Sequence, residues 1–99
     1  MEIPKVGETW VSRYCYGNII YTFYKVLKVT AKTAIFQPLE KVGWGNYNGG
    51  DYWVRPVNEN AVNGRPFTKR LGKEMSMGFC HWMDGKWSGE PLREAHGMD

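Results

Sequence analysis

The stretch that decides the fold is Ile19-Ile20-Tyr21-Thr22-Phe23-Tyr24-Lys25-Val26-Leu27-Lys28-Val29-Thr30-Ala31-Lys32-Thr33-Ala34-Ile35-Phe36-Gln37-Pro38-Leu39. Up to Val29 it is dominated by β-branched and aromatic residues, which fit a pleated, half-buried surface. Lys25 and Lys28 interrupt any apolar stripe at helical spacing, so the run reads as a strand. Thr30-Ala31-Lys32 is a short turn, and residues 33–39 return as an antiparallel partner. Pro38 has no N–H to donate, which places the end of that strand at an edge or a bulge. Phe23, Leu27, Ile35 and Phe36 are the expected core of this hairpin, with Trp10 joining from the preceding strand.

Upstream, residues 8–16 read as a first strand, entered through Pro4 and Gly7 and closed by Gly17-Asn18. Downstream, residues 43–50 hold four glycines in eight positions, too much backbone freedom for a regular strand or helix. Residues 51–57 resume as a strand interrupted by Pro56, Asn63-Gly64 is a turn, and residues 67–71 form a short basic strand. Residues 75–83 form another strand, closed by a hairpin turn at Asp84-Gly85. Trp82 and Trp87 then flank that turn and pair across it. After Ser88 the chain changes character. Residues 90–96 read as one or two helical turns, with Pro91 near the first position, or as disorder. The expected fold is all-β: a small bent antiparallel sheet or barrel, SH3-like or OB-like. It has five to seven short strands, and its C-terminal segment has room for a short helix. Residues 1–87 form the single domain and residues 88–99 an acidic polar tail.

The net charge of +3 is unevenly spread. Residues 25–73 carry nine Lys/Arg against three acids, while residues 74–99 carry two against five. A basic body suits an anionic partner. No apolar run approaches the roughly 20 residues of a membrane span. Cys15 and Cys80 are the only cysteines, and no secretory leader is recognised, so both are expected as free thiols in a cytoplasmic protein. No cysteine pair has zinc spacing, so neither a metal site nor a cofactor is expected. His81 adjoins Cys80, but neighbours on a strand point to opposite faces, which is poor geometry for a nucleophile and its base. Gly43-Trp44-Gly45 lacks the Lys-Ser/Thr of a phosphate loop. No catalytic residue is assigned, and the chain reads as a non-enzyme.

Binding residues are better represented. The chain is 15% aromatic, with five Trp and six Tyr. Trp44 and Tyr47 lie in the glycine segment, where large rings are natural stacking platforms for a base. The competing use of Trp44 is as a plug over an open barrel end. Tyr52, Trp53 and Arg55 follow, and Trp53 and Arg55 share one face of a strand, an arrangement suited to a stacked, anionic ligand. Arg65, Lys69, Arg70 and Lys73 form the densest positive cluster. The candidate ligand-binding set is therefore Trp44, Tyr47, Tyr52, Trp53, Arg55, Arg65, Lys69 and Arg70. The expected partner is a nucleotide-like anionic small molecule, held by a homo-oligomer. Single-stranded nucleic acid or a host protein are the alternatives.

Several short segments in fixed order carry a resemblance. They are Gly7-Glu8, Tyr14-Cys15-Tyr16, the run from Phe23 to Thr30, Val54-Arg55-Pro56-Val57, Gly64-Arg65-Pro66-Phe67, Lys69-Arg70 and Asp84-Gly85-Lys86. Over roughly residues 6–87 the chain resembles a family of small uncharacterised β-domain proteins encoded by phages and prophages. It departs from that pattern at Ile19-Ile20, where the family has Thr-Asn, and at Met83, where it has Trp. The resemblance implies a phage or prophage origin and a host cytoplasm. It hands over no activity. A host-directed role in which a nucleotide-derived signal is sequestered is an analogy with compact anti-defence proteins, suited by the basic, aromatic composition.

Overall fold

The computed structural model describes residues 3–46, 51–72 and 75–95, with residue 51 described for its backbone only. The protein is all-β, with nine strands among the described residues: β1 (Thr9–Cys15), β2 (Ile19–Val29), β3 (Thr33–Leu39), β4 (Lys41–Asn46), β5 (Asp51–Pro56), β6 (Phe67–Arg70), β7 (Ser76–Gly78), β8 (His81–Lys86) and β9 (Leu92–Glu94). Six form an antiparallel sheet in the order β6-β3-β2-β1-β8-β7, and three form a second sheet in the order β4-β5-β9.

Side-chain alternation explains how the two sheets sit. On β1, Trp10 joins one buried cluster and Val11 the other; on β2, Tyr24 and Val26 join the first and Phe23 the second. The middle of each of these two strands is thus buried on both faces. The first cluster also takes Phe67 and Leu71 from one edge of the large sheet and Met75 and Met77 from the other. Opposite edges meet around one core because the sheet curls into a half-barrel. The second cluster adds Leu39, Val54, Tyr52, Trp87 and Leu92, and fills the space between the convex face of the large sheet and the small sheet that covers it.

The central hairpin forms as expected. Thr30 N donates to Thr33 O at 2.8 Å, and Thr30 Oγ1 accepts from Thr33 N at 3.0 Å. Trp10, Phe23 and Phe36 are buried. Leu27, expected in the core, is 41% exposed. The β2–β3 register shifts between Val26 and Lys28, so Leu27 is the extra residue of a bulge and turns outward. Ile35 is only half-buried. It pairs with Lys28 and Thr68.

Three further expectations are corrected. Gly43, Trp44 and Gly45 belong to β4, because β5 supplies a complete ladder from Lys41↔Pro56 to Asn46↔Asp51. Gly43 is needed there: a Cβ at this position would run into the Tyr52 ring. Asp84-Gly85 is no hairpin turn. β8 runs through it, with a register shift against Val11/Ser12 that makes it a bulge, and Gly85 takes the positive φ (140°). The turn lies earlier, at Phe79-Cys80, where Cys80 is left-handed (φ 54°). Trp82 and Trp87 therefore do not pair: Trp82 faces Arg13 across the ladder, and Trp87 stands edge-on to Phe23 at 5.5 Å. Finally, residues 92–94 are a strand instead of a helix, and β9 pairs with β5. Glu94 is 1% exposed, and its carboxylate accepts from Lys41 Nζ at 2.6 Å and from Tyr21 N at 2.9 Å. Part of the segment read as an acidic tail is thus paired into the small sheet, with the buried Glu94 carboxylate held by the part-exposed Lys41.

Candidate functional site

The small sheet buries one face and presents the other. Tyr52, Val54 and Leu92 turn inward to the second core cluster. On the outer face Trp44 and Trp53 are directly opposite each other in the ladder, 45% and 37% exposed. One step along, Val42 faces Arg55, and on the other side of Trp53 lies Arg93 of β9. The result is a band across three strands: an exposed indole pair with an exposed arginine on β5 and another on β9. As direct cross-strand partners their Cβ atoms sit about 5 Å apart, so both indoles rise from one level of the sheet. Arg55 Nη1 donates to Pro56 O at 2.9 Å and Val57 O at 3.2 Å. These two bonds anchor the guanidinium beside the strand end, and its other N–H groups remain for a ligand.

Of the eight residues read from the sequence, Trp44, Trp53 and Arg55 come together here. Tyr52 is on the opposite face, over Gly43. Arg65 lies in the exposed loop before β6, and Lys69 and Arg70 are on β6 in the other sheet. Tyr47 falls outside the described residues, as does Lys73. Trp44, 45% exposed on the outer face of the small sheet, does not plug a barrel end.

Sequence reasoning missed Arg93, which was counted with the tail. Nothing short of the β5–β9 pairing reveals that Leu92, Arg93 and Glu94 alternate half-buried, exposed and buried. It also missed a polar chain inside the half-barrel. Ser12 Oγ lies 2.8 Å from the Tyr24 hydroxyl and 2.7 Å from His81 Nε2, joining residues 69 positions apart. The second distance is that of a nucleophile and its base, but Ser12 is 0% exposed. It has no surface for a substrate to reach, and the chain ties β1, β2 and β8 together. Among the described residues no group of three or more His, Cys, Asp or Glu is placed to hold a metal ion. Cys15, at the end of β1, and Cys80, in the turn between β7 and β8, are free thiols, with Cys15 N donating to Cys80 O at 2.9 Å. No helix is long and apolar enough to cross a membrane among the described residues.

His81 is held below its ordinary value of 6.5, first by desolvation and then by the positive charge of Lys69. The unfolded chain therefore takes up this proton before the folded one does. Stability is expected to fall as pH drops through about 6.5, and to be insensitive to His81 above that. Glu8, lowered chiefly by its bond from the Trp10 indole, acts in a separate window below 4.5. Urea denaturation at pH 8 and pH 5.5 checks this: the loss between them should shrink in His81→Asn, and an unchanged loss would assign it elsewhere.

Comparison with known protein families, with curated proteins and with solved structures returns no match.

Proposed function

We propose that this chain is a non-catalytic binding protein for nucleotide bases, with single-stranded nucleic acid as the ligand that best fits the outer face of β4, β5 and β9. The observation that carries this reading is the directly opposed, exposed pair Trp44 and Trp53, bordered by Arg55 and Arg93. Two indoles on one strand-pair level accept two successive bases, and the arginines on either side accept the phosphates between and beyond them. The net charge of +3 supports an anionic partner. The resemblance to phage-encoded proteins extends the proposal: the strand would be met in a host cytoplasm, in the course of phage development or counter-defence.

A captured nucleotide signal is the second reading, and its requirement is specific. The platform of one chain is an open sheet face, so a homo-oligomer must supply the opposing wall, as pockets between subunits do.

Salt separates the two. For a single strand contacting two phosphates, affinity should drop roughly 7-fold between 50 and 200 mM salt, because bound counterions are released. A mononucleotide or dinucleotide carries no condensed counterion atmosphere and weakens much less. Fluorescence titration with a short pyrimidine oligonucleotide and with a cyclic dinucleotide, at both salt concentrations, gives the comparison. Failure of both ligands to bind would remove the proposal.

A further inference from the structure

The end of β1 meets the turn between β7 and β8 through two cysteines. The β1–β8 ladder ends at Tyr14↔His81, and the next level in that register holds Cys15 and Cys80. Cys15 N donates to Cys80 O at 2.9 Å, one of the two bonds of a directly opposed antiparallel pair. Ring contacts bracket this level. Tyr14 stands edge-on to His81 at 6.1 Å on one side, and Tyr16 edge-on to Phe79 at 5.2 Å on the other. The register is therefore kept beyond the last ladder pair, and alternation along β1 sends Cys15 to the face opposite those rings. The Cα atoms of such a pair are about 5.5 Å apart, inside the range of about 4.4–6.8 Å that a disulfide spans. Cys15 is exposed and Cys80 half-buried, so a small reactant reaches the pair. Cys80 also has a positive φ (54°), at a turn position that favours glycine. Outside the ladder, its backbone is free to adjust to the torsion that an S–S bond requires.

We propose that Cys15 and Cys80 form a redox-modification site, a dithiol that a low-molecular-weight disulfide converts to an intramolecular disulfide. Cys15, the exposed member, attacks one sulfur of the reactant as the thiolate, which releases one thiol and leaves a mixed disulfide on Cys15. Cys80 then attacks the Cys15 sulfur, and the second thiol leaves. Two cysteine thiols are oxidised, the reactant is reduced to two thiols, and those thiols take up the two cysteine protons. The pair stays open under a reducing poise and closes when the disulfide reactant accumulates. The new bond ties the β7–β8 edge hairpin to β1, and by joining residues far apart in sequence it restricts the unfolded chain. The site does not rest on the role given to Trp44 and Trp53.

The probe is glutathione disulfide, added to the folded protein at neutral pH, with intact mass, free thiols and a thermal melt as readouts. The expected product is a single chain lighter by two hydrogens, with no free thiol and no retained glutathione, and reductant should restore both thiols. Its melting temperature should rise by about 10 °C, the scale of a cross-link between distant residues in a domain of this size. Closure should be at least about 10-fold faster in the folded protein than in strong urea, because the fold holds the two thiols together. Cys80→Gly suits the left-handed backbone and should fold, keep one glutathione on Cys15 and gain nothing in melting temperature. A persistent glutathione adduct on the unsubstituted protein, a disulfide-linked dimer, or closure no faster than in urea would overturn the proposal.

Discussion

Glu94→Ala is expected to destabilise the protein by about 3 kcal/mol, the upper end of the loss for leaving a backbone donor without its charged acceptor, with the weakened pair to Lys41 added. The carboxylate is almost wholly buried and serves three elements at once. It carries β9, accepts the backbone N–H of Tyr21 on β2, and pairs with Lys41 at the start of β4. Removing it leaves the Tyr21 N–H without its acceptor and Lys41 without its counter-charge, though Lys41, at 32% side-chain exposure, recovers part of its loss from water. For a domain of this size each kcal/mol moves the melting temperature by about 4–8 °C, so a drop of roughly 12–24 °C is expected. Glu94→Gln keeps an acceptor for Tyr21 and should lose about half as much. A thermal melt of the two variants checks both the size and the order. A Glu94→Ala variant that melts with the parent would mean that β9 does not hold the small sheet in place.

Trp44→Ala and Trp53→Ala should do the opposite, sparing the fold and removing the ligand. Each indole is more than a third exposed, and a cross-strand pair contributes about 0.2–1 kcal/mol. Stability should therefore fall by about 1 kcal/mol or less. Losing one base-stacking partner weakens binding by about 1–3 kcal/mol, which is roughly 5- to 150-fold at a factor of ten per 1.4 kcal/mol. Because the two indoles are neighbours on one level of the ladder, the double variant is not expected to equal the sum of the singles. Oligonucleotide titration and a melt on the same samples separate the two effects. A large fall in melting temperature with binding intact would return Trp44 and Trp53 to a structural role.

The β2–β3 hairpin was legible because its composition, its turn and its lack of helical period all agree. Leu27 was not, since a bulge adds one residue and leaves no mark on a pattern of period two. Asp84-Gly85 misled for a related reason: the same left-handed tolerance that builds a two-residue turn also builds a bulge. Gly43 and Gly45 read as loop because the compensation for their missing side chains, the Tyr52 ring and the β5 ladder, comes from across the hairpin. Glu94 looked like a surface acid because Lys41, which makes its burial tolerable, is 53 residues away. At the binding face, the residue types were legible and the geometry was not. Trp53 and Arg55 share a face by spacing alone, but setting Trp44 opposite Trp53 and Arg93 beside it requires the β4–β5–β9 register. Ser12 and His81 likewise met only through the β1–β8 pairing.

The central claim is that ligand lies on the outer face of the small sheet. Indole N–H resonances of the five tryptophans report this directly, once Trp44→Phe and Trp53→Phe identify two of them. On titration with a short single-stranded pyrimidine oligonucleotide, the Trp44 and Trp53 signals should shift together and saturate, while that of Trp10, buried in the half-barrel, stays in place. Saturable binding that leaves Trp44 and Trp53 unmoved, with shifts confined to β6 or to the half-barrel, would contradict the claim.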